Sequence, residues 1–156
     1  MSTIEQQLQV SAIKSGTVID HVRAGQALTI VRLLNLAAQH KTVTIGMNLP
    51  SRKMGHKDLI KVANYELPPE EANRVAILAP DADINIIANY KIKNKFKVSI
   101  PSLIERLIVC PNPHCVSNHE PMGSKFATLH RGETVAVRCW YCEKTFTQDE
   151  IVDYRV

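Results

Sequence analysis

Long apolar runs are missing from this chain. The stretches at residues 84–88 and 103–109 are short or broken by polar groups, whereas a membrane-spanning helix needs about 20 consecutive apolar residues. No membrane partner is expected. Residues 1–9 lack the basic-then-apolar order of an export signal, so the cytoplasm is the expected location. Aromatic residues make up only 5%, which leaves little for extended base-stacking surfaces. A large charge of one sign is also lacking. The 19 basic and 15 acidic residues give a net charge of +4 and a pI near 8.9. That excess suits an anionic small ligand or an acidic protein partner and falls short of a nucleic-acid footprint. Cysteine, finally, is absent from the first 109 positions, and all 4 cysteines follow. The chain is chemically two-part.

What is present fits a folded protein. The 156 residues are 45% hydrophobic and 22% charged, close to the globular average, and suffice for one ordinary domain or two small ones. Residues 8–22 read as a strand region bent at Ser15-Gly16. After Gly25, the apolar positions Ala27, Ile30, Val31, Leu34 and Ala38 fall on one helix face. Val43, Ile45, Met47 and Leu49 alternate with polar partners as a half-buried strand. A polar loop at residues 50–56 then leads to a strand at 57–63, antiparallel because the connection is short. Pro68-Pro69-Glu70-Glu71 is a helix start, Ala72, Val75, Ala76 and Leu78 supply its buried face, and Pro80 stops it. Residues 83–92 read as another strand. The order strand–helix–strand–strand–helix–strand is the split βαβ, or ferredoxin-like, plan, with both helices on one side of a sheet. Lysines at 91, 93, 95 and 97 mark a change of composition, and the linker is expected near residues 96–102. Taken alone, that series is a guard on an edge strand.

Cys110 and Cys115 are separated by four residues, Cys139 and Cys142 by two, and the pairs by 23. Such pairs let two tight turns aim four thiolates at one tetrahedral zinc, as in zinc ribbons. Apolar strands feed both turns, and Pro111, Asn112 and Pro113 are turn formers inside the first. Four free or disulfide-paired thiols are the alternative. A shell filled by four cysteines has no open position, so the expected metal is one structural Zn2+ ion. His114, His119 and His130 are left outside it. A unit of roughly 55 residues has a marginal core and commonly needs such a metal.

Taken together, several segments resemble the regulatory chain of aspartate carbamoyltransferase. They are Gly16-Thr17-Val18-Ile19-Asp20-His21, Thr44-Ile45-Gly46-Met47-Asn48-Leu49-Pro50-Ser51, Met54-Gly55 and Lys57-Asp58-Leu59-Ile60-Lys61. Ala79-Pro80, Asn85, Asn89-Tyr90, Cys110-Pro111-Asn112 and the later cysteine pair complete the set. The likeness runs in order from about Leu8 to Phe146. It implies an α+β chain with a ferredoxin-like nucleotide-binding allosteric domain at residues 1–100. A small all-β, zinc-ribbon-like domain at 101–156 would dock on the catalytic chain. It also implies a non-catalytic subunit that forms a regulatory homodimer, in an assembly of two catalytic trimers and three regulatory dimers. In such proteins CTP and ATP compete for one site and control the first committed step of pyrimidine biosynthesis, with UTP often reinforcing CTP.

The resemblance places the effector pocket at Val10, Ser11, Ile13, Asp20, His21, Lys57, Leu59, Lys61, Asn85, Ile87, Tyr90, Ile92 and Lys95. Lys95 and His21 would meet the phosphates, with Lys57 adding charge. Asp20 would accept hydrogen bonds from ribose, and Lys61 would reach ribose or base. Leu59, Ile87 and Ile92 would pack on apolar surface, and backbone groups near Ile13 and Tyr90 would read the base edge. Ser11 stands where a glutamate is familiar, and Gln7 where a lysine helps a second nucleotide or metal, which bears on the UTP response. His114 and Trp140 replace an asparagine and a lysine near the expected docking surface. Two other function classes compete. A nucleic-acid-binding zinc-ribbon protein would use the basic linker, against weak net charge and few aromatics. A small phosphoryl- or acyl-transfer enzyme would need a nucleophile–base pair, a glycine-rich phosphate loop or an open metal site, and the sequence offers none of these.

Overall fold

The computed structural model describes residues 11–132 and 134–155. Two antiparallel sheets carry the chain. In the first, the strands β1 (Gly16–Arg23), β2 (Val43–Ser51), β3 (Gly55–Ala63), β4 (Asp83–Ala88) and β5 (Lys91–Lys97) lie in the order β2-β3-β1-β4-β5. The first four strands have the ferredoxin-like arrangement expected from their sequence order. Two short helices, α1 (Ala27–Leu33) and α2 (Pro69–Arg74), contribute Ala27, Ile30, Leu33 and Ala72 to the same core as Ile19, Ile60, Val62 and Ile84 of the sheet.

Several local features depart from the periodicity of the sequence. Residues 11–13 are irregular, not strand, and α2 ends at Arg74, so Val75, Ala76 and Leu78 are buried in the turns beyond it. The helical pattern reaches Ala38, but α1 ends at Leu33 because Asn35 turns left-handed (φ 54°). The N–H of Leu36 then donates to Val31 O and that of Asn35 to Arg32 O, closing the helix as a Schellman motif. In β2, Val43 and Ile45 pair with Val62 and Ile60, but the register shifts between Gly46 and Leu49, and Leu49 pairs with Lys57. Leu49 therefore leaves the core face, and Met47 is exposed. Finally, the strand expected over 83–92 is two strands. Asn89 and Tyr90 both have positive φ (51° and 64°), which makes a two-residue hairpin turn. The lysine series is the edge strand β5, and the irregular connection begins at residue 98, not 96.

The second sheet has the order β6-β7-β8-β9, from β6 (Leu103–Glu105), β7 (Lys125–Arg131), β8 (Thr134–Cys139) and β9 (Thr145–Thr147). The chain's end folds back on it. Ile108 bridges Tyr154, and the Arg155 N–H donates to Leu107 O at 2.7 Å. One apolar core runs through both sheets. Ile104, Leu107, Phe126, Phe146 and Ile151 belong to the cluster that holds Ile77 and Val98.

Candidate metal centre and effector face

The four cysteines converge. Cys110 and Cys115 lie in the turns after β6, and Cys139 and Cys142 flank the turn after β8. Their sulfurs all lie within 4.8 Å of one another. Cys110 Sγ is 3.8 Å from Cys142 Sγ, and Cys115 Sγ is 3.7 Å from Cys139 Sγ. A disulfide has sulfurs about 2.05 Å apart, so these thiols are unbridged. Four sulfurs about 2.3 Å from a central ion stand about 3.8 Å apart in a tetrahedron. The cluster fits one structural zinc.

Backbone bonds hold both turns. Cys115 N donates to Asn112 O and Glu143 N to Cys139 O, both at 3.0 Å. The Asn118 amide donates to the carbonyls of Cys110 and Asn112, both at 2.9 Å. Burial, the largest influence, pushes the Cys110 and Cys139 thiols up. Burial also opposes ionisation of Cys115, yet the hydroxyl of Ser117, 3.1 Å away, and its backbone N–H bring that thiol down to about 7. Four thiolates in so small a volume repel one another, and a divalent cation removes that cost.

The helix-free face of the first sheet carries the other group. Register places Lys61, Val18, Asn85 and Lys95 in one row across β3, β1, β4 and β5, with Asp20, Asp83 and Lys97 in another. Directly opposed residues share a face, as do alternate residues along a strand. Leu59 and Ile87 continue the same face, and Ile92 pairs with Ile87. A bulge between Ile19 and Val22, with His21 left-handed (φ 55°), lets Asp20 and His21 reach the site together. Lys57 Nζ donates to Asp20 Oδ1 at 2.8 Å, and His21 Nδ1 lies 2.6 Å from Asp83 Oδ2.

The segment before β1 is irregular over 11–15. Ser11 O accepts from Lys61 Nζ at 2.7 Å, and Lys14 O accepts from Tyr90 N at 2.9 Å, so Ile13 runs between two members of the group. Burial lowers the Lys61 ammonium, partly offset by the nearby Asp20 charge. Tyr90 and Ile92 stand exposed at the hairpin. Val10 and Gln7 lie outside the described residues. Asp83 and Lys97 belong to this face but escape sequence reasoning. Only the register, which sets them beside Asp20, could have revealed them.

Among the described residues, no helix is long and apolar enough to cross a membrane. Residues 8–99 match the family model described as the aspartate carbamoyltransferase regulatory chain, allosteric domain. Residues 102–152 match the model of its metal binding domain. The chain is 46% identical over 148 residues to the aspartate carbamoyltransferase regulatory chain of Pyrococcus abyssi, covering 94% of this chain and 97% of that one. It is 44% identical to the regulatory chain of Cronobacter sakazakii, covering 96% and 98%, and 40% identical to that of Photobacterium profundum, covering 97% and 98%. This chain belongs to the family of aspartate carbamoyltransferase regulatory chains, whose matched domains are allosteric and metal-binding, not catalytic.

Proposed function

We propose that this regulatory chain senses CTP and ATP on the open face of its first sheet and transmits their binding to a catalytic chain held by its zinc domain. The division of labour follows the residues. Residues 1–100 would form the nucleotide-binding domain and pair with a second copy. Residues 101–156 would hold zinc through Cys110, Cys115, Cys139 and Cys142 and dock on the catalytic chain, two catalytic trimers being joined by three regulatory dimers in the cytoplasm. The zinc ion supplies structure here, tying two turns into one docking surface, and no water-activating chemistry.

One observation carries the nucleotide reading: Asp20, His21, Lys57, Leu59, Lys61, Asn85, Ile87, Ile92 and Lys95 share a single sheet face although they span four strands. Cations, a ribose acceptor and apolar side chains on one surface are what a nucleoside triphosphate requires. Lys95 takes phosphate with His21, Lys57 adds charge, Asp20 meets ribose, and Lys61 meets ribose or base. Ser11, Ile13 and Tyr90 border the base, as Val10 would. Gln7 and Ser11 stand where a lysine and a glutamate are familiar in the family, and these two departures count against UTP reinforcing CTP here. The response is a coupling free energy between effector face and docking surface, so it needs both chains to be seen.

The test is co-purification with the catalytic chain, followed by aspartate saturation with and without each nucleotide. Nucleotide-dependent saturation supports the reading. Salt-sensitive binding to random oligonucleotides in preference to ATP or CTP would replace it with the nucleic-acid alternative.

A further inference from the structure

Asp83 opens β4 with 5% of its surface exposed. Its Oδ2 lies 2.6 Å from His21 Nδ1. Its Oδ1 lies 3.4 Å from Nζ of Lys97, its cross-strand partner on β5, but receives no hydrogen bond. Opposite Asp83 on β1 stands Asp20, which takes Lys57 Nζ and the His21 backbone N–H, the latter at 2.7 Å. The Asp20 Oδ2 is 4.0 Å from His21 Nδ1. The side chains therefore follow one another across the face in the order Lys57, Asp20, His21, Asp83, Lys97, with Lys61 and Lys95 in the neighbouring row.

Two carboxylates at opposed strand positions repel unless a donor stands between them. Burial favours the neutral acid at Asp83, but the His21 hydrogen bond and the Lys97 ammonium hold it below the usual carboxylate range. A buried carboxylate this close to a ring nitrogen calls for a proton on that nitrogen. Nδ1 is then committed to Asp83, and Nε2 is the atom left for a ligand, donating to a phosphate oxygen once it too carries a proton, a cationic ring that the Asp83 carboxylate favours. Carboxylate–imidazole pairs fix ring orientation and tautomer in the same way elsewhere.

We propose that Asp83 is a positioning residue of the effector face, locking the His21 ring with Nδ1 inward and Nε2 outward, and anchoring Lys97, for a ligand of the polyphosphate class. This rests on the nucleotide reading above. The sign of its effect separates it from simple electrostatics. Asp83 is an anion beside a polyanion's seat, so Coulomb's law alone makes its removal tighten binding. A positioning role makes removal weaken binding.

The experiment titrates ATP and CTP onto the full chain carrying Asp83→Ala, His21→Ala or both, with 15N NMR of His21 in the ligand-free chain. With His21 present, Asp83→Ala should weaken both nucleotides about tenfold. In the His21→Ala background it should no longer weaken them. Asp83→Asn, which keeps an acceptor without the charge, should fall between, and carries the test if the alanine variant does not fold. The uncharged wild-type ring should be protonated at Nδ1, and Asp83→Ala should return it to Nε2. Unchanged or tighter binding in Asp83→Ala, equal effects with and without His21, or a wild-type ring protonated at Nε2 would each overturn the proposal. If the wild-type chain binds neither nucleotide, the nucleotide reading fails, and the NMR arm still decides whether Asp83 orients His21.

Discussion

Asp58 is fully buried, and its two oxygens accept three backbone N–H groups. Oδ2 takes Gly25 and Ala27 at the start of α1, and Oδ1 takes Asn48 in the β2 bulge. One side chain thus pins a helix and a neighbouring strand to β3. Asp58→Ala leaves those donors without partners, at about 1–3 kcal/mol for each that stays buried. Urea denaturation should show a loss of about 3 kcal/mol or more, with Asp58→Asn losing less. Lys95 sits at the other extreme, exposed on an edge strand. Lys95→Ala should leave stability unchanged but weaken CTP and ATP alike by roughly 10- to 100-fold, since both carry the same triphosphate. Calorimetry of both nucleotides reads this, and unchanged affinities would mean the phosphates lie elsewhere. Legibility at this scale followed chemistry. Cysteine spacing states its own purpose, so the four sulfurs could be named before any fold. Asp20 and His21 stood out only through family resemblance. Asp58 and Asp83 look like any strand carboxylate until register shows what faces them.

Strands and helices were legible where periodicity ran undisturbed, as in β3 and the start of α2. Periodicity misleads where left-handed residues break it. Asn35 cut α1 short, His21 and Asn48 sit in the β1 and β2 bulges, and the Asn89-Tyr90 turn divided one expected strand into two. The first bulge brings Asp20 and His21 to the proposed effector face. Gly16 is the glycine on which β1 most depends. Its φ is +140°, and a Cβ there would lie 2.0 Å from the Val62 carbonyl oxygen. The clash is with backbone at Val62 and Asn64, which cannot swing aside as a side chain would, so Gly16→Ala should destabilise the chain by about 3 kcal/mol or more. Denaturant midpoints that match wild type would refute that strain.

A second link at this scale depends on pH. The Tyr65 hydroxyl, just beyond β3, donates to Glu71 Oε2 of α2 at 2.6 Å. Burial first, then the hydrogen bond to Glu71 and its charge, push the phenol up to about 12. A folded value above the ordinary 10 means that the link stabilises fully below pH 10 and is lost as pH rises toward 12. The advantage of wild type over Tyr65→Phe should therefore shrink between pH 10 and 12, measured by denaturation at each pH. A constant difference would show that the phenol's ionisation is not linked to folding.

At the scale of the molecule, the one-sided placement of cysteine foretold two parts, but not that they share a core. The contacts of Ile104, Leu107, Phe146 and Ile151 with the first sheet's cluster cross long sequence distances and leave no local pattern. Polar links cross as well. Gln148 Nε2 donates to Ile77 O at 3.2 Å, and Arg23, at the end of the strand bearing Asp20 and His21, lies 3.6 Å from Asp149. The exposed ion pair is worth little by itself, so zinc and the shared core must hold the second sheet in place. Zinc binding in comparable small domains supplies on the order of 10 kcal/mol or more. Removing it leaves four crowded thiols, with Cys110 and Cys139 pushed toward the protonated state by burial. The turns that carry them then lose their common anchor, and the surface around Trp140 goes with them. The proposed effector face lies on the first sheet and uses none of these residues. Full-length chain treated with a thiol reagent and a chelator should release one zinc per chain and lose the catalytic chain in gel filtration. Its calorimetric affinity for ATP and CTP should stay within a few-fold of the untreated value. Zinc-free chain that still binds the catalytic chain would show that the docking surface stands without the metal. Parallel loss of nucleotide binding would show that the shared core carries the metal's effect through to the effector face.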